Sequence, residues 1–192
     1  MPPKPKFTRE EIVAAALDLV SAKGVDALTA RELGDALGSS ARSIFTVFNS
    51  MEEVLTEVHT AAMARFESYT QRPIAGLPLF KQVGMQMVLF GIQEPKLYQL
   101  LFMQEHRSAV TFEDVFSLLG DTANLCIQAI QQDYDLCAGD AKILFENVWI
   151  YTFGVGALCA TRVCHFSETE LSGMLTTQFQ AMLHFIKAGN QH

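Results

Sequence analysis

Alternating apolar and polar runs long enough to form strands are missing from the 192 residues, and so are internal repeats and low-complexity tracts. Sheet folds and solenoids are thereby excluded. Positive charge is scarce: 14 Lys and Arg face 21 Asp and Glu, for a net charge of −7. The deficit is uneven, since residues 1–50 hold six basic and six acidic residues, and residues 51–192 hold eight and fifteen. A role on nucleic acid must therefore come from a motif, because bulk charge does not supply it. None of the four cysteines, Cys126, Cys137, Cys159 and Cys164, forms a C-x-x-C pair. They are expected to be free thiols in a cytoplasmic chain, buried and structural. Cys164-His165 alone is too little for a metal site, and none is expected.

Further absences narrow the function. Met-Pro-Pro-Lys-Pro-Lys at the N-terminus has no apolar core of the kind a signal peptide needs. The most apolar segment, Val148 to Cys164, is interrupted by Arg162 and falls short of about 18 uncharged residues, so no membrane partner is expected. No nucleophile–base pair, metal spacing or phosphate loop supports an enzyme. Gly154-Val-Gly156 lacks the third glycine and the preceding strand of a dinucleotide fingerprint. No cofactor is expected.

What is present is helical punctuation. Thr8 caps a first helix and Glu11 completes a capping box, with Phe7 and Ile12 placed as a hydrophobic staple. Ile12, Ala15, Ala16, Leu19 and Val20 form its inward face, and Gly24 ends it. Thr29 and Glu32 form a second box, opening a helix with Leu33, Ala36 and Leu37 on its apolar face. Gly38 supplies the left-handed turn. Ser39 or Ser40 then caps another helix with Ile44, Phe45 and Phe48 inward. Its outward residues, Ser40, Ala41, Arg42, Ser43 and Thr46, are small, polar and singly basic, which suits a DNA major groove. Ser50 and Glu53 open the next helix, to about Tyr69, with Val54, Leu55, Val58, Ala61, Ala62 and Phe66 as its apolar stripe.

This order, "G-x-x-x-L-T-x-x-x-L-x-x-x-L-G", a short helix ending in Phe48, then "N-S-x-E-E-V-L" over residues 7–57, resembles the TetR family of transcriptional regulators. The resemblance implies an all-α chain of about nine helices. Residues 1–50 would be a three-helix helix-turn-helix DNA-binding domain and residues 51–192 a helical effector-binding and dimerisation domain. It further implies a repressor on palindromic double-stranded operator DNA, working as a homodimer and released by a small, largely apolar effector. On DNA, Arg42 suits a guanine edge and Ala41 a thymine methyl, Thr29, Ser40, Ser43 and Thr46 suit phosphates or bases, and Phe45 is counted among the DNA-contacting residues with them. The helix starts at Thr29 and Ser50 offer N–H groups to phosphate. Lys4 and Lys6 belong to an arm read chiefly as a solvated tail. The family usually has Tyr at the place of Phe45, its hydroxyl on phosphate, often His or Tyr at Val47, and Lys at Met51. These departures predict weaker phosphate binding and a shallower salt slope, and they leave open a small-molecule-binding protein that has lost its operator.

Beyond residue 70, Arg72-Pro-Ile-Ala-Gly-Leu-Pro78 breaks the pattern. A helix follows from Leu79 to Gln93, apolar nearly all round through Phe80, Val83, Met85, Met87, Val88, Leu89 and Phe90. Pro95 opens another through Leu97, Leu100, Leu101 and Met103. Glu105-His-Arg-Ser108 reads as a loop, and helices are expected over 112–131, from Gly139 to Val163 and from Ser167 to Gly189. Met85, Leu89, Phe102, Met103, Phe116, Trp149 and Phe153 are expected around an effector pocket, with Glu105, His106 and Arg107 as weaker polar candidates. Small residues at Thr152, Gly156, Ala160 and Cys164 suggest close helix contact. Together with Leu171, Met174, Leu175, Phe179, Met182, Leu183 and Ile186 on the last helix, they are expected at the dimer interface.

Overall fold

A computed structural model describes residues 6–104, 111, 114, 119 and 121–189. Among these, eight α-helices and two short 3-10 helices occur and no strand. The helices are α1 Arg9–Lys23, α2 Ala30–Ala36, α3 Met51–Thr70, α4 Leu79–Gln93, α5 Pro95–Phe102, α6 Asp121–Tyr134, α7 Ala138–Ala160 and α8 Glu168–Gly189. The 3-10 segments are Val25–Ala27 and Ala41–Thr46. The loop expected at residues 105–108, with Glu105, His106 and Arg107, lies outside the described residues. So do Phe116, Lys4 and most of the helix expected from residue 112.

Two compact units emerge: Met1–Ser68 with Gln93–Gln104, and Tyr69–Ile92 with Glu105–His192. The boundary expected at residue 50 follows the motif, whereas the first unit also takes in most of α3 and all of α5.

In the first unit, spacing of three and four residues buries one face of each helix. Ile12, Ala16, Leu19 and Val20 are covered on α1, and Val54, Val58, Ala62 and Phe66 on α3. α5 packs on α1. Its first turn is tied there by Glu94, which accepts from Ser21 Oγ at 2.7 Å and pairs with Arg65 at 3.4 Å. Leu97, Tyr98, Leu100 and Leu101 are buried. Met103, expected on that apolar face, is 40% exposed because α5 ends at Phe102.

In the second unit, α7 packs against both α6 and α8. Met85, Val88, Val155, Cys159, Leu171 and Leu175 form a buried cluster. Among the described residues α7 is the one helix long and apolar enough to cross a membrane, and half of its apolar window is buried within the chain. α7 stops at Ala160, earlier than expected, and Arg162 turns left-handed at φ 58°. Two cysteines fit the expectation of burial, Cys126 and Cys159, with burial pushing the Cys126 thiol up to about 12. The other two do not: Cys137 is exposed and Cys164 half-buried, since each lies at a helix boundary where little chain covers it.

Candidate nucleic-acid interface

The caps at the front of the first unit are local. Thr8 and Glu11 make the full capping box, each side chain meeting the other residue's N–H. At α2 only half of the expected box forms: Thr29 Oγ1 accepts from Glu32 N–H at 3.2 Å, but the Glu32 carboxylate takes Lys23 at 2.8 Å instead. That charged partner holds the Glu32 carboxyl below its ordinary value. At α3, Ser50 Oγ accepts from Glu53 N–H, while Glu53 reaches one residue further back. It accepts from the backbone and side-chain N–H of Asn49 at 2.8 and 3.0 Å.

Glu53 is also one end of a clamp. Arg9 donates to Glu53 at 2.9 Å and to Glu57 at 2.7 Å, and its guanidinium lies 4.3 Å from the centre of the Phe48 ring. The hydrogen bonds from Asn49 and Arg9 keep the Glu53 carboxyl below its usual range, and the bond to Glu57 raises Arg9. One side chain thereby joins the first turn of α1, the end of the turn-helix segment and the start of α3. The sequence offers no local signal for it, because the partners stand 44 and 48 residues away.

Between α2 and α3, Gly38 adopts the left-handed turn at φ 61°. Lys6 donates to Gly38 O at 3.4 Å and Ser39 Oγ at 3.2 Å. The segment Ala41–Thr46 is 3-10 rather than α-helical, with Ser43 N–H on Ser40 O and Val47 N–H on Ile44 O, both at 3.0 Å. Ser40 gives no side-chain cap, contrary to expectation. The hydroxyls of Ser43 and Thr46 instead donate back to the carbonyls of Ser40 and Ser43, at 2.8 and 2.6 Å, favouring the tighter turn.

With about three residues per turn, the inward face is Ala41, Ile44 and Val47, and Ile44 is wholly buried. Phe48 is buried beyond the segment's end. Phe45, expected inward, is 47% exposed, because the tighter turn rotates it away from Ile44. Thr29, Ser40, Arg42, Thr46 and Ser50 are exposed and Ala41 and Ser43 half-buried, so the candidate DNA residues lie at the surface of one unit. Ala36, expected on the apolar face of α2, is exposed; Leu33 fills that place with Gly34. Gly34 is the residue sequence reasoning passed over. A Cβ there would stand 2.9 Å from Ala41 N and 3.1 Å from Ser39 O, so only glycine lets α2 approach the turn this closely. A glycine inside a helical pattern was the available signal.

The residues expected at the effector pocket do not gather into one set. Met85 is in the buried cluster of the second unit and Leu89 is half-buried. Trp149 is buried and stacks on Phe153, rings 5.4 Å apart. Phe102 and Met103 belong to the first unit, where Phe102 meets Phe66 and Tyr98, each at 5.0 Å. The expected dimer residues also need correction. Thr152, Gly156 and Ala160 are already buried within the single chain, so they have no surface left for a partner. Thr152 sits where α7 meets α4, its side chain 3.8 Å from the place a Cβ on Gly84 would take. Met174 packs on the buried cluster, and Phe179 lies 5.5 Å from Phe80 and 4.9 Å from Tyr134. Met182 is half-buried.

Residues 12–58 match the family model described as bacterial regulatory proteins, tetR family. No curated protein matches the chain. Among solved structures, a tetR-family transcriptional regulator from Streptomyces coelicolor is 14% identical at a TM-score of 0.68, covering 94% of this chain and 88% of that one. The fatty acid degradation regulator FadR from Bacillus halodurans is 17% identical at 0.61, covering 94% and 97%. A TetR variant from Acinetobacter baumannii AYE, solved with minocycline, is 18% identical at 0.54, covering 97% and 98%. Residues 12–58 thus match the helix-turn-helix of the tetR family, and the fold of TetR-family transcriptional regulators extends along nearly the whole chain.

Proposed function

We propose that the protein is a homodimeric repressor that binds a palindromic operator and is released by a small, largely apolar effector. The observation that carries this reading is the exposed outward face of Ala41–Thr46, with Arg42 as its basic residue, held by buried Ile44 and Phe48. Arg42 reads a guanine edge through two parallel hydrogen bonds. Thr29, Ser40 and Ser50 bind phosphate beside it. The chain works in the cytoplasm.

Dimerisation uses the faces of α7 and α8 that one chain leaves open. Ile143, Ile150 and Leu158 are 48%, 49% and 40% exposed, and their spacing puts them on one side of α7. Phe185 on α8 is 72% exposed. Ile150→Glu should therefore give monomers in light scattering at micromolar concentration. Gly156→Leu should instead disturb the fold of the second unit. A dimeric Ile150→Glu would place the interface elsewhere.

The effector enters among Met85, Leu89, Trp149 and Phe153. Two structural neighbours fit such a ligand class, one solved with minocycline and one described as a fatty acid degradation regulator. Release is a population shift: the ligand favours a spacing of the two heads that no longer matches successive major grooves. The test titrates small apolar compounds against Trp149 fluorescence, with and without operator DNA. Coupling is reciprocal, so operator should weaken ligand binding by the factor, typically about 5–150, by which ligand weakens operator binding. Equal ligand affinity in both conditions would end the release mechanism. A second reading, a small-molecule binder that has lost its operator, is favoured by Phe45, Val47 and Met51, which carry no cation or phosphate-binding hydroxyl. It predicts the same affinity for every DNA sequence.

A further inference from the structure

We propose that Phe45 reads the methyl group of an operator thymine, so that the position contributes base recognition and not phosphate binding. This rests on the operator-binding reading above. Phe45 is 47% exposed although the core beneath it is complete, with Ile44 wholly buried and Phe48 at 2% exposure. Its exposure therefore serves no packing role within the first unit. In a 3-10 segment, side chains three apart eclipse one another. Arg42 and Phe45 consequently share the outward face of Ala41–Thr46.

The polar neighbours on that segment are occupied. Ser43 and Thr46 donate their hydroxyl protons to backbone carbonyls at 2.8 and 2.6 Å, leaving them only as acceptors. Guanine N7 and O6 and phosphate oxygens need donors. Arg42 is a donor there, and Phe45 is the large apolar group. A phenyl ring offers phosphate no hydrogen bond. The apolar feature that base edges present in the major groove is the C5-methyl of thymine. Phe45 beside Arg42 thus fits a half-site in which a thymine neighbours the guanine taken by Arg42.

The test begins by selecting bound sequences from random duplex DNA with the full-length protein. Each thymine of the selected site is then replaced by deoxyuridine, which removes only the methyl group. Wild type should lose about three- to fivefold in affinity per half-site at one thymine, the value of one buried methyl-sized group. Phe45→Ala should bind more weakly and be indifferent to uracil at that position, while keeping its response elsewhere. Phe45→Leu, which keeps an apolar side chain, should retain part of the response and guards against a folding defect. A selected site that tolerates uracil everywhere, or a Phe45→Ala variant with undiminished uracil sensitivity, overturns this inference alone, the ring then lying against sugar and backbone. Selection of no preferred sequence overturns the operator-binding reading and this inference together.

Discussion

In the N-terminal unit, ion pairs join separate elements: Arg9 to Glu53 and Glu57, Lys23 to Glu32, and Arg65 to Glu94. In the second unit an ion pair, Lys142–Glu146, spans one turn of one helix. There the elements are joined by apolar clusters and ring contacts, such as Phe179 between Phe80 and Tyr134. The difference teaches where each unit is vulnerable. Exposed ion pairs are individually weak and screened by salt, but those of the head bridge α1, α2, α3 and the start of α5. The body keeps its shape by burial, which neither salt nor moderate acid removes.

The largest expected effect is in the body. Leu171→Ala removes a wholly buried side chain from the main cluster and should cost about 2–5 kcal/mol. Urea denaturation followed by Trp149 fluorescence measures it, since the single tryptophan lies in that unit. A cost under about 1 kcal/mol would mean the cluster is not what holds the body. The head's counterpart is Gly34→Ala, whose Cβ would press on the backbone of Ala41 at 2.9 Å. Overpacking of this kind should cost about 1–3 kcal/mol, with loss of DNA binding. An unchanged affinity would show that α2 and the turn can separate without consequence.

A smaller effect should distinguish the units by pH. Glu10, Glu32 and Glu53 in the head all have carboxyls held below the ordinary 4.5, by a backbone N–H, by Lys23, and by Asn49 with Arg9 respectively. Depressed carboxyls stabilise the fold above 4.5 and lose that contribution as pH falls through their folded values. In the body, Glu170 is lowered in the same way by the Ser167 N–H at the start of α8. Acidification from neutral pH past 4.5 should therefore raise hydrogen exchange in α1–α3 before Trp149 fluorescence changes. Glu53→Gln should narrow that gap, and simultaneous loss in both units would break the comparison.

How far the sequence revealed these arrangements follows from distance along the chain. The box at Thr8–Glu11, the left-handed Gly38, the α3 stripe at Val54, Val58, Ala62 and Phe66, and the bounds of α4 rest on neighbours within a turn or two, and all were legible. The Arg9 clamp and the docking of α5 on α1 were not, because periodicity says which face is apolar but not what covers it. Phe45 was placed inward by counting an α-helical period, and the back-bonded hydroxyls of Ser43 and Thr46 made the period shorter. The small-residue row of α7 was read as a contact with a partner chain, whereas Thr152 faces Gly84 of α4 inside one chain.

Sequence-specific DNA binding by the head is tested most directly by a gel-shift titration of wild type and Arg42→Ala against the DNA upstream of the protein's own gene, and against random duplex of equal length. Wild type is expected to prefer the upstream fragment, with a shallow salt dependence from its few phosphate contacts. Arg42→Ala is expected to lose that preference by about 1–3 kcal/mol per guanine contact while keeping most of its affinity for random DNA. Equal affinity of the wild type for both DNAs, at every salt concentration, would contradict the account.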